Sequence, residues 1–197
     1  TLFNVITGVY PPTAGELRFR GVPLAGLPAH RLARLGLSRT FQNVQLFPGL
    51  TVIENVMVGC ERDAPARFLG AAFALPALRR ESRNHFERAE RALVTVGLDG
   101  AAVAPAGSLP FGQQKLVEVA RALASEPALL LLDEPAAGLN PSEKVEMMGL
   151  IRRLRALGMS LLIIEHDMSV VMGVSDHGVV LNYGEKIAEG TPAEVQR

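Results

Sequence analysis

"ALLLLDEP", residues 128–135, sets four consecutive leucines in front of two acids. An apolar run without alternation is buried on both faces, as a strand is in a parallel sheet covered by helices. "MSLLIIEHD" (Met159–Asp167) repeats the pattern and ends in Glu165, His166 and Asp167. Between the two runs, "NPSE" (Asn140–Glu143) starts a helix, with Asn140 as N-cap, Pro141 in the first turn and Glu143 three residues on. Met147, Leu150, Ile151 and Leu154 then recur on one face, and Gly158 suits the C-terminal cap. Strand, helix and strand form a βαβ unit, whose strands are parallel.

Further signals extend outward from this unit. "TVIE" (Thr51–Glu54) is a capping box. Leu116, Val119, Ala120 and Leu123 lie on one helical face, in a helix that ends before Pro127. "HGVVLNYGEKIAEG" (177–190) reads as a hairpin turning near Tyr183-Gly184, and "GELRFRG" (15–21) as an early strand. Leu2, Phe3, Val5 and Ile6 crowd an opening helix that Gly8 and Pro11-Pro12 stop. The stretch Glu61–Asn84 is rich in Ala, Arg and Pro, has poor periodicity, and reads as a variable segment of a helical lobe. The expected fold is α/β: a mainly parallel-sheet core over 1–41 and 108–197, with a helical lobe inserted over about 42–107.

Composition narrows the function. At 197 residues the chain is long enough for a substantial core, and with 48% hydrophobic but only 5% aromatic residues that core is aliphatic. Equal counts of acids and bases, 20 each, give no electrostatic case for a nucleic-acid partner. The one cysteine, Cys60, rules out an internal disulfide and fits a reducing compartment. No apolar run approaches the length of a membrane-spanning helix.

The chemistry sits at the strand ends. In open parallel sheets, ligands bind at the carboxyl ends of the strands. Nucleotide hydrolysis needs one carboxylate for Mg²⁺ and a second group to position the attacking water. Asp133 suits the metal, through water, and Glu134 suits the attacking water. His166, from the neighbouring strand, is within reach of a γ-phosphate. Taken alone, "DEP" also reads as a simple turn, and a lone histidine after a strand is usually a surface residue.

In order, the chain carries "TFQNVQLFPGLTVIENV" (40–56), "LPFGQQKLVEVARAL" (109–123), "LLLLDEPAAGLNP" (129–141) and "LLIIEHD" (161–167). This ordered set resembles the ATP-binding cassette (ABC) ATPases along the whole chain. The resemblance makes Gln42 the Q-loop glutamine, a contact for nucleotide and metal. It makes Leu109, Phe111, Gly112 and Gln113 the signature motif, Asp133-Glu134 the Walker B pair, Asn140 part of the D-loop and His166 the switch histidine. It implies a P-loop NTPase-like fold, ATP and Mg²⁺ as cofactors, and a second ATPase subunit that meets this one head to tail. It also implies integral-membrane permease subunits and a peripheral place at the cytoplasmic face of the inner membrane. The segment Gln42–Pro48, with Val44, Leu46 and Phe47, is the expected docking site for that membrane partner.

There are departures from the pattern. Pro110 stands where the family has serine, and Asn140 where aspartate is usual. The aromatic signature, the doubled Gln113-Gln114 and "AAGLNP" resemble the ATPase subunits of branched-chain amino-acid importers, which implies an extracytoplasmic solute-binding protein in the same system. In this family a Gly-x-x-x-x-Gly-Lys-[Ser/Thr] loop runs into a helix like the one that opens this chain. The resemblance therefore places Thr1 just after the Mg²⁺-binding Ser/Thr, at the nucleotide. The expectation is a piece of a longer ATPase, with the first strands, the Walker A loop and some C-terminal residues outside it, and no hydrolysis by residues 1–197 alone. The rival readings are a soluble ABC ATPase of DNA repair or translation, and a non-catalytic fragment that binds a partner.

Overall fold

The computed structural model describes residues 2–60 and 76–196. Thr1 and the part of the Glu61–Asn84 stretch over 61–75 lie outside the described residues. The elements, in chain order, are α1 (Leu2–Ile6), β1 (Arg18–Phe19), β2 (Val22–Pro23), α2 (Ala29–Arg34), β3 (Leu37–Arg39), α3 (Val52–Met57) and α4 (Pro76–Val96). There follow α5 (Phe111–Ala124), β4 (Leu129–Asp133), α6 (Pro141–Ala156), β5 (Ser160–Ile164), α7 (Met168–Val174), β6 (Gly178–Asn182), β7 (Glu185–Gly190) and α8 (Pro192–Val195).

The four-leucine run is the centre of a three-stranded parallel sheet in the order β3-β4-β5. Leu130, Leu131 and Leu132 are fully buried. The second run departs from the expectation of burial on both faces. Leu162 is exposed, so its face of β5 is left uncovered by the described residues, and β5 is the outermost strand of the sheet among them. The connecting helix α6 has the predicted cap, with Asn140 accepting from the Glu143 N–H and Glu143 reaching back to the Asn140 N–H. Its stripe of Met147, Leu150, Ile151 and Leu154 is buried.

Helix α5 also differs from its sequence pattern. Four residues mark a single apolar face, yet Lys115, Val117, Glu118, Ala122 and Ala124 are buried as well. The helix lies between α3 and α4 on one side and the sheet on the other, so nearly every side finds a neighbour. Gly59 makes the closest approach: a Cβ there would overlap the Arg121 carbonyl oxygen. The early strand proves to be a hairpin, because Arg20 and Gly21 both take positive φ (51° and 78°) and turn the chain between β1 and β2. The late hairpin β6–β7 turns at Tyr183-Gly184 as read.

One large apolar cluster runs from α3 and α4 through α5 and β4 to α6 and α7. A smaller one joins Phe3, Ile6, Leu24, Leu32 and Leu37 to Leu131 on the other face of β4. The middle strand is thus clamped from both faces, which fixes where Asp133 and Glu134 emerge.

Candidate functional site

The carboxyl ends of β3, β4 and β5 converge. After β3, Thr40 donates its N–H to the Leu131 carbonyl at 3.0 Å and accepts from the Asp133 N–H at 3.3 Å. This lateral bond delivers Gln42 beside the acids. The Gln42 side-chain N–H donates to Glu134 Oε2 at 3.1 Å. The other Glu134 oxygen lies 3.9 Å from His166 Nδ1, beyond hydrogen-bond distance but in its electrostatic reach. Gln42, Glu134 and His166, read from three separate motifs, therefore meet at one carboxylate.

Asp133 is engaged differently. Its Oδ2 accepts from Arg39 Nη2 at 2.6 Å, and Arg39 Nη1 donates to Asn4 Oδ1 at 2.7 Å and to Thr7 Oγ1 at 3.1 Å. The guanidinium lies over the Phe3 and Phe41 rings. Arg39 thus ties the end of β4 to α1. No local signal in the sequence marked it, since its partners lie 35 residues before and 94 residues after.

The turn after β4 is held from below. Lys115, on α5, is only 5% exposed and donates to the Glu134 carbonyl at 3.0 Å. Burial pulls its ammonium below the ordinary lysine range, against the pull of Glu118, Glu165 and Glu134. The Glu165 side chain, 1% exposed, accepts from the Ala136 N–H at 2.9 Å and from the His166 and Asp167 N–H groups at 3.0 and 3.3 Å. Asp167 caps α7 and pairs with Lys144 at 2.7 Å. Sequence reasoning noted Glu165 only as an acid at a strand end and gave Lys115 no role.

The signature residues form a second locus. Pro110 is the N-cap of α5 and makes no side-chain cap bond, so the first amides of a 14-residue helix are left to an external acceptor. Leu109 packs against the large cluster, Phe111 is exposed and Gly112 is buried. A Cβ on Gly112 would lie 2.5 Å from Glu143 Oε1, which explains glycine at that position. Gly112, Gln113 and Asn140 line one groove of about 270 Å³ together with Glu143 and Glu146. None of Gln42, Asp133, Glu134 or His166 lines it, so the two loci are distinct on this chain. A larger concavity of about 770 Å³, beside α4, contains none of the site residues. Thr1 lies outside the described residues.

The segment after Gln42 is strapped down. Glu118 accepts from the Gln45 N–H at 2.8 Å, and Arg121 donates to the Gln45 carbonyl at 2.6 Å. Asn55, fully buried, accepts from the Phe47 N–H at 2.8 Å and donates to the Phe47 and Thr51 carbonyls. These anchors leave the Phe47 ring 50% exposed.

The donor set fits a nucleotide-bound metal rather than an all-protein cage. Among the described residues no cluster of three or more His, Cys, Asp or Glu side chains forms. Mg²⁺ characteristically takes one or two carboxylates and completes its shell with water and substrate phosphate, which suits Asp133, with the Gln42 side chain at the adjoining Glu134. Among the described residues no helix is long and apolar enough to cross a membrane.

Comparison with known proteins identifies the family and the fold. The ABC transporter family profile matches residues 1–137. BraF of Pseudomonas aeruginosa, a high-affinity branched-chain amino acid transport ATP-binding protein, is 46% identical over all of this chain and 77% of its own length. The crystal structure of an ATP-binding cassette of an ABC transporter in its ADP conformation superposes with a TM-score of 0.83 at 33% identity, covering 99% of this chain and 76% of that one. A dimeric ATP-binding cassette in a post-hydrolysis state, bound to ADP and Pi, superposes with a TM-score of 0.77 at 25% identity, covering 97% of this chain and 79% of that one.

Proposed function

Because the chain belongs to the ABC transporter ATPase family, we propose that it is the ATP-hydrolysing subunit of a membrane importer for branched-chain amino acids. The observation that carries the reading is the meeting of Gln42 and His166 at Glu134, beside Asp133, at the carboxyl ends of parallel strands. When bound, Mg-ATP supplies the electrophilic γ-phosphate and the metal that neutralises its charge.

The chain's own residues divide the remaining work. Asp133, held by Arg39, is the carboxylate that would hold Mg²⁺ when the metal is bound. Gln42 occupies one Glu134 oxygen, so the other oxygen polarises the attacking water and takes its proton. His166 presents its ring to the same place and steadies charge on the γ-phosphate. The uncapped amides at the start of α5, with Gln113 and Asn140 beside them, face a nucleotide held by a second ATPase subunit, identical or different. The separation of the two loci supports that head-to-tail arrangement, and a similar ATP-binding cassette is dimeric when bound to ADP and Pi. The permease docks on the loop around Leu46 and Phe47, in the lobe over about 42–107, and the chain works peripherally at the cytoplasmic face of the membrane. A solute-binding protein hands the amino acid to the permease. The substrate class rests on likeness to BraF, since the ATPase itself does not touch cargo.

The test is complementation in a strain without the gene. The full-length protein restores leucine, isoleucine and valine uptake, and its Glu134→Gln variant does not. Unaltered uptake of these three on deletion, with another solute affected, refutes the substrate assignment.

A further inference from the structure

Glu134 adopts φ +46°, a left-handed conformation that non-glycine residues rarely take and that persists only where surroundings over-determine it. Here the restraints can be named. The Glu134 N–H donates to the Ile164 carbonyl at 2.9 Å, and its carbonyl accepts from the Ala137 N–H at 3.1 Å. Both are backbone bonds that any sequence could make. The other two restraints come from buried ionic side chains. Lys115 Nζ donates to the Glu134 carbonyl at 3.0 Å, and Glu165 Oε1 accepts from the Ala136 N–H at 2.9 Å. One cation and one anion thus grip the same turn from two elements, α5 and the end of β5. Unpaired ions that deeply buried would be costly, and the turn supplies an acceptor to Lys115 and one of the three N–H donors to Glu165, the others coming from His166 and Asp167.

Lys115 belongs to the first turns of α5, four residues after Phe111. Its Nζ lies 5.7 Å from the centre of the Phe111 ring. The same ring stands 3.0 Å from where a Gly138 Cβ would be, at the far end of the turn. Lys115 and Phe111 therefore bind the start of the signature helix to both ends of the segment 134–138. A shift of α5 along its axis would drag the Glu134 carbonyl with it.

We propose that Lys115 and Glu165 are positioning residues for Glu134, and that Lys115 makes the aim of that carboxylate depend on the placement of the signature helix. Both side chains are buried, Lys115 at 5% exposure and the Glu165 side chain at 1%. The left-handed turn and the approach of Glu134 to Gln42 and His166 are in place in this structure, and Lys115 and Glu165 hold them there. The inference rests on the reading of Glu134 as the water-polarising carboxylate.

The experiment is a mutant cycle in the full-length protein within its transporter assembly: Lys115→Met, Glu165→Ala and Glu134→Gln, singly and with each positioning variant placed in the Glu134→Gln background. Steady-state ATPase rates and displacement of a fluorescent ATP analogue are measured. Displacing a reacting group by about 1 Å costs on the order of 10²-fold, so Lys115→Met lowers kcat by about that factor while KM stays within about threefold. In the Glu134→Gln background the same substitution changes the residual rate by less than about twofold, because the group it positions is already gone. Glu165→Ala follows the same pattern and carries the test if Lys115→Met does not fold. Unchanged kcat in both positioning variants overturns the proposal, as does an equal loss with and without Glu134. Wild-type turnover by Glu134→Gln alone overturns instead the reading of Glu134 on which the proposal stands.

Discussion

Replacing Glu118 with alanine should destabilise the protein by about 3 kcal/mol, through the loop that follows Gln42. Glu118 is 4% exposed, and its carboxylate accepts both the Gln45 N–H at 2.8 Å and Arg121 Nη2 at 3.2 Å. Burial pushes its carboxyl above the ordinary range, while the Gln45 N–H, Arg121 and Lys115 oppose that shift. A hydrogen bond to a charged group contributes about 1.5–3 kcal/mol, and removing one partner of a buried ion pair costs about 3–5 kcal/mol. The two figures describe overlapping losses and are not summed. Arg121 retains its 2.6 Å bond to the Gln45 carbonyl and its side chain is 16% exposed, which holds the cost to the lower end of that range. For a chain of this size the loss corresponds to a Tm lower by about 6–12 °C. Glu118→Gln keeps an acceptor for Gln45 and should cost less than about half as much. Urea unfolding of the full-length protein followed by circular dichroism measures both. A Glu118→Ala variant within about 0.5 kcal/mol of wild type would refute the Glu118 strap and leave the loop anchored by Arg121 and Asn55.

Acid stability gives a second prediction. The Lys144 ammonium and the Ser169 donors hold the Asp167 carboxyl well below the usual carboxylate range. A depressed carboxyl contributes stability above the unfolded value, about pH 4, and loses it as pH falls toward the folded one. Lys144→Met should therefore flatten the fall in urea midpoint below about pH 4, and an unchanged slope would contradict the pairing. Gly59→Ala should lower stability by about 1–3 kcal/mol, because the added methyl meets the Arg121 carbonyl oxygen and forces α5 away; a wild-type Tm would show that this contact is looser than described. Leu46→Asp with Phe47→Asp should leave ATP hydrolysis intact while abolishing amino-acid uptake, and normal uptake by the folded variant would remove this loop as the docking site.

Periodicity and caps made the βαβ unit legible, because each signal is local. The capping boxes at Thr51 and Asn140 form as read, and the four-leucine run is the buried centre of the sheet. What escaped was tertiary. β3 is three residues, Leu-Ser-Arg, too short to show a period, and exists because it pairs with β4. Lys115 and Glu118 occupy positions that a one-faced helix would give to solvent, yet α5 is covered on nearly all sides. Polar residues among apolar ones do not announce whether they are solvated or paired. Gln42, Glu134 and His166 were nameable from motif order, but Arg39 and Lys115 act through partners that only the fold brings near.

The proposed chemistry depends on Glu134. Its most direct test is a single-turnover measurement on full-length Glu134→Gln, with bound nucleotide and released phosphate followed together. ATP binding should stay close to wild type while hydrolysis slows by about 10²–10⁴-fold, the usual cost of losing a general base. Phosphate release at the wild-type rate would contradict it and move the chemistry to another residue.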